Sequence, residues 1–188
     1  MKVRLAGEIQ PDSIVDGEGI RIVVWMQGCS HNCRGCHNQM THDFNGGYLS
    51  DTEDVKKDIS KIKLADGVTL SGGDPMFQVE ASLDIAKYCH TIGLNVWCYT
   101  GYTFEQLLEI SKVNPMMLDL LNEIDVLVDG RFVLEKRSAD VKFRGSTNQR
   151  IVNVSRSLKA NKAICFRKYD TKKKNKVKKQ TKEVPIFI

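Results

Sequence analysis

Three cysteines fall within eight positions in the stretch GCSHNCRGC, as Cys29, Cys33 and Cys36. A chain that spaces cysteines C-x3-C-x2-C must fold there as a tight loop. Gly28 and Gly35 flank the cysteines and allow that curl. Six cysteines in all would permit disulfides. However, the opening residues MKVRLAGEIQ contain no apolar signal core. The longest apolar runs, such as IVVWM, are far too short to span a bilayer. The expectation is a cytoplasmic protein without a membrane partner, in a reducing compartment where clustered cysteines hold metal. A 4Fe–4S cluster takes one outer ligand per iron, so three cysteines leave one iron open to a substrate or cofactor. Structural zinc is the rival, because His31, His37 and His42 allow a Cys3His site to be drawn. Taken singly, His42 and His90 read as solvated.

Beyond the loop, strand-like and helix-like patterns alternate. IRIVVWM (20–26), GVTLSGG (67–73), LNVWCYT (94–100), IDVLVDG (124–130) and the weaker RIVNV (150–154) read as strands. SDTE (50–53) reads as a capping box that opens a helix with Val55, Ile59 and Ile62 on one face. Residues 77–92 form a second helix, and Thr103 with Gln106 caps a third. Such alternation implies βαβ units, and the strands are too few for a closed barrel. The expected fold is therefore α/β, an open partial (β/α) barrel with a mostly parallel sheet. Right-handed crossovers bring the cysteine loop, SGGDP, TGY (100–102) and DG (129–130) to one rim. Cys89 and Cys98 lie in apolar patterns and read as buried thiols. Trp25 and Trp97 read as core.

The net charge of +5 is a property of the C-terminus. Residues 162–188 carry ten Lys or Arg against two acids, which leaves residues 1–161 at −3. That balance divides the chain into a domain, 1–161, and a basic extension, 162–188, and argues against nucleic-acid binding by the domain. The terminal VPIFI is apolar enough to return as an edge strand.

C-x3-C-x2-C after a first strand resembles the radical S-adenosylmethionine superfamily. VDGEGIRIVVWMQGC (15–29), CRGCHN (33–38), LSGGDP (70–75), TGY, VLVDGRFV (126–133) and RGSTNQR (144–150) together resemble a narrower family, the anaerobic ribonucleoside-triphosphate reductase activating proteins. The resemblance covers roughly residues 8–155. It implies one 4Fe–4S cluster per chain, on Cys29, Cys33 and Cys36, and S-adenosylmethionine as the second cofactor. Gly35, Cys36 and His37 would lie on its adenine side, and Gly72, Gly73 and Asp74 at its amino end. Read alone, GGDP is only a turn, and DGEGIR (16–21) is an acidic glycine-rich turn without an assigned role. The implied chemistry is reductive cleavage to methionine and a 5′-deoxyadenosyl radical. That radical takes hydrogen from a backbone glycine of the large reductase subunit. A low-potential donor such as flavodoxin would supply the electron. The rivals are an activator of pyruvate formate-lyase type, a 7-carboxy-7-deazaguanine synthase-like enzyme and, from another class, a zinc-binding nucleic-acid module.

Overall fold

The computed structural model describes residues 1–169; the edge strand expected at VPIFI lies outside the described residues. Among the described residues, eight strands form one sheet: β1 (Lys2–Leu5), β2 (Gln10–Ser13), β3 (Arg21–Met26), β4 (Tyr48–Asp51), β5 (Gly67–Gly72), β6 (Asn95–Tyr99), β7 (Val126–Asp129) and β8 (Arg150–Asn153). Their order is β4-β1-β3-β5-β6-β7-β8, with β2 on the N-terminal part of β3. The four central strands, β3, β5, β6 and β7, run parallel. The flanking strands β1, β2, β4 and β8 are antiparallel to their neighbours. The fold is thus mixed α/β, and its end strands β4 and β8 do not pair with each other.

The two faces of the sheet differ in chemistry because side chains alternate along each strand. Ile22, Val24, Met26, Val68, Leu70, Val96, Cys98, Leu127 and Val152 join one core with the helices. These are α1 (Thr52–Lys61), α2 (Val79–Thr91), α3 (Phe104–Ser111), α4 (Pro115–Asn122) and α5 (Val154–Ala160). The alternate residues face the other way. Trp97, Val126, Val128 and Ile151 make a small aromatic-rich cluster with Tyr169, while Ser71 and Tyr99 border an open cavity. Residues 163–169, which the charge pattern assigns to the extension, run beside β8. Asn153 N–H donates to Ile164 O, and Phe166 N–H to Ile151 O.

The expected capping box at Thr103 and Gln106 is present, with both reciprocal bonds. The one at SDTE is not. Ser50 pairs with Val3 inside the sheet, and Asp51 begins α1 without a side-chain cap bond. Pairing with β1 outcompetes the local cap there. His90 is not free either. It is exposed, as expected, but in the last turn of α2 it has Nδ1 2.9 Å from Glu123 and Nε2 3.1 Å from Asp125. Burial lowers its pKa, but hydrogen bonds to the two carboxylates outweigh this and leave it raised above 6.5. A raised histidine adds stability that is complete below the unfolded value and fades as pH climbs through the folded one. His90→Gln should therefore cost no more than ~1 kcal/mol at pH 6, and less by pH 8, in urea titrations at the two values.

Candidate functional site

The four central strands all end at one rim because they pair in parallel. After β3 comes the cysteine loop, after β5 the GGDP turn, after β6 TGY, and after β7 the long loop 130–149. Between them lies a cavity of about 750 Å³ lined by Cys29, Cys33, Cys36, Gly72, Gly73 and Thr100, among others. All three cysteines are half-buried free thiols.

Each thiol meets one backbone amide. Burial pushes Cys29 up to about 11, and a hydrogen bond from the His31 backbone pulls against it. Burial also raises Cys33, opposed by the Phe132 backbone. Asn38 N–H donates to Cys36 Sγ at 3.4 Å. N–H donors on sulfur are a means by which proteins tune iron–sulfur clusters. Among the described residues, no three His, Cys, Asp or Glu side chains converge as ligands of a single ion. A four-iron cluster asks for something else, one thiolate on each of three irons. His31 is committed elsewhere, with Nε2 2.7 Å from Asp74 Oδ2. The cavity, the free thiols and their amide donors therefore suit a three-thiolate cluster.

The loop reaches this position because glycines let two backbones touch. A Cβ on Gly73 would stand 2.4 Å from Gly28 O. Asp74 N–H donates to the same carbonyl at 2.9 Å, and Gly73 N–H to Met26 O at 2.7 Å. Gly72 also has φ +101°, and Asn38 Nδ2 donates to its carbonyl at 3.3 Å. Gly73→Ala should thus cost ~1–3 kcal/mol by overpacking in chemical denaturation. Gly7→Ala, at a position with open space around it, should cost little.

The implied cofactor-binding residues take different positions. Gly35, Cys36 and His37 end the cysteine loop under the 130–149 loop. A Cβ on Gly35 would lie 3.0 Å from Leu134, and the His37 ring is 5.4 Å from Phe132. His37 is exposed and borders the cavity, as does half-buried His42. Gly72 and Gly73 line the cavity, whereas Asp74 is 1% exposed and does not. Cys89 and Cys98 are buried under the helices, as their patterns suggest.

Residue patterns alone did not reveal how the remaining wall is built. Phe132, Val141, Lys142, Phe143 and Arg144 come from the 130–149 loop. VLVDGRFV and RGSTNQR are the two stems of that loop. Gln149 donates to Gly130 O, Asn148 to Arg131 O, and Val133 N–H to Ser146 Oγ. Ile14, Val15 and Asp16 also line the cavity. Glu18 of DGEGIR receives the Tyr169 hydroxyl at 2.6 Å and also pairs with Lys168.

A single loop of free cysteines at the C-terminal ends of parallel strands, facing a cavity, makes a site that suits an iron–sulfur cluster. Consistent with this, the family described as 4Fe-4S single cluster domain matches residues 15–152. Anaerobic ribonucleoside-triphosphate reductase-activating proteins are similar along most of the chain. The one from Haemophilus influenzae is 34% identical over 149 residues, covering 74% of this chain and 91% of its own. That from Vibrio cholerae is 36% identical over 147 residues, with 74% and 91% covered. That from Enterobacteria phage T4 is 32% identical over 151 residues, with 76% and 90% covered. The chain belongs to the family of anaerobic ribonucleoside-triphosphate reductase-activating proteins. Among solved structures, QueE from Escherichia coli aligns over 54% of each chain at 17% identity and a TM-score of 0.43, too slight a likeness to argue from. No helix among the described residues is long and apolar enough to cross a membrane.

Proposed function

We propose that the protein is a radical S-adenosylmethionine activase that installs a glycyl radical on the large subunit of anaerobic ribonucleoside-triphosphate reductase. Cys29, Cys33 and Cys36 hold the 4Fe–4S cluster in this reading. The bound cluster supplies the low-potential electron that cleaves S-adenosylmethionine reductively, so that hydrogen can be taken from the partner's glycine. The backbone of Gly72 and Gly73 meets the cofactor's amino end, and Gly35, Cys36 and His37 its adenine side. Asp74 belongs to the same turn. The sheet curls as an open partial barrel around the cofactor, and the 130–149 loop shields it from water. A flavodoxin-like donor in the cytoplasm delivers the electron.

One observation carries the reading. Three free thiols on one loop, each beside a backbone amide, face a cavity with room for more than a cluster. The names of the relatives favour the reductase over pyruvate formate-lyase as partner. The test is an anaerobic assay with iron- and sulfide-reconstituted protein, dithionite and S-adenosylmethionine. Methionine and 5′-deoxyadenosine should form, and a glycyl radical should appear by electron paramagnetic resonance when the reductase is added. Cofactor cleavage with a radical only on pyruvate formate-lyase would redirect the assignment, and no cleavage would end it.

A further inference from the structure

Asp74 occupies the acidic position of the GGDP turn, yet its side chain is 1% exposed, lies outside the cavity lining and accepts four hydrogen bonds from protein donors. Oδ1 accepts from Met76 N–H at 3.0 Å. Oδ2 accepts from His31 Nε2 at 2.7 Å, Thr100 Oγ1 at 2.9 Å and Gly101 N–H at 2.9 Å. These donors come from three separate strand ends, after β3, β5 and β6. His31 lies between Cys29 and Cys33, and its side chain is 5% exposed. Its ring stands edge-on to Tyr102 at 4.6 Å and tilted to Phe77 at 5.6 Å. The fit extends to Gly101, where a Cβ would sit 2.3 Å from His31 Cδ2.

We propose that His31 and Asp74 form a latch that pins the cysteine loop to the ends of β5 and β6, and that Asp74 serves the cofactor through this latch without touching it. His31 is then a positioning residue. The backbone edge of Gly72 and Gly73, which does line the cavity, is what the turn offers to a ligand. A carboxylate aimed at a ligand's ammonium would need an open lone pair on the cavity side. Here Oδ2 already takes three protein donors and Oδ1 one more, and the side chain is buried outside the cavity lining. The ligand part of this proposal rests on the S-adenosylmethionine reading; the latch itself does not.

Two readouts separate the two. The first uses metal-free protein and the alkylation rates of Cys29, Cys33 and Cys36 by iodoacetamide, mapped by mass spectrometry. His31→Ala and Asp74→Asn should each speed alkylation about tenfold, and the double variant no further, since both open one latch. Gly101→Ala keeps both partners but drives a methyl into the ring, and should behave like His31→Ala. His31→Gln retains an N–H donor and should stay near the wild-type rate. Multiplying effects in the double variant, or failure of the Gln rescue, would overturn the latch. The second readout is the S-adenosylmethionine concentration that half-saturates the change in the reduced cluster's resonance spectrum. It should rise about 10–100-fold in His31→Ala, the range expected for a group that orients a metal's ligands. An unchanged value in His31→Ala beside a large rise in Asp74→Asn would place Asp74 directly on the ligand. Wild-type protein that loads iron but ignores S-adenosylmethionine would sink the functional reading, while the alkylation series still judges the latch.

Discussion

Alanine at any one of Cys29, Cys33 or Cys36 is expected to abolish reductive cleavage of S-adenosylmethionine and to strip or destabilise the iron–sulfur chromophore. Each thiolate would serve its own iron, and the loop holds no further cysteine to take over. The three thiols also share one cavity wall, so losing one leaves the other two at a site that still admits water. The remaining cysteines provide the contrast. Cys165 is exposed and outside the cavity lining, so Cys165→Ala should cleave the cofactor at the wild-type rate. Cys98 is completely buried against the helices. Burial holds its thiol well above the usual range, which makes it a packing group and a poor ligand. Cys98→Ala should therefore lower stability and leave iron content per folded chain unchanged. Iron, sulfide and product assays on the single variants decide the matter. Full cleavage activity in any of the three loop variants would remove that cysteine from the site.

The parts of this site visible in the sequence are those whose partners lie close along the chain. Cys29, Cys33 and Cys36 are spaced by the loop itself, and Gly72 and Gly73 directly end a strand of buried residues. The central strands were legible for a related reason. RIVVWM in β3 and GVTLSG in β5 are buried almost throughout, so their residue types declare them. β2 has the sequence QPDS and is a strand only because the edge of β3 offers it hydrogen bonds. β1 and β4 stabilise each other in the same way, and that pairing displaced the apparent cap at Ser50. The unseen part of the site has the same origin. His31 meets Asp74 across 43 residues, Glu18 meets Tyr169 across 151, and Asp129 meets Arg150 across 21. No local pattern encodes such pairs. An acid in a GGDP turn looks alike from sequence whether it faces a ligand or a neighbouring loop.

Arg150→Ala is expected to be the most destabilising single change outside the central core, by ~3–5 kcal/mol, because it leaves a buried carboxylate without its counter-charge. Asp129 is 0% exposed, and its carboxylate is held by Arg150 Nε at 3.0 Å and by Nη2. With Arg150 gone, the Phe104 N–H at the start of α3 is the hydrogen bond to Asp129 that remains. The pair also faces across the last rung of β7 and β8, at the neck of the 130–149 loop. Losing it should lower the thermal midpoint by roughly 10 °C. It should also expose that loop to limited proteolysis before the rest of the chain. Arg150→Lys should recover only part of the loss, since an ammonium cannot fork between Asp129 and Glu105 as the guanidinium does. The acid side gives a further check. The Arg150 hydrogen bond holds Glu105 down to about 2. A carboxyl lowered on folding contributes stability above its unfolded value and loses it as pH falls through the folded one. The gap between wild type and Arg150→Ala should therefore be full at pH 7 and narrow from about pH 4.5 towards pH 2. A midpoint within 2 °C of wild type at pH 7, or a gap that widens in acid, would show that Asp129 finds its stabilisation elsewhere.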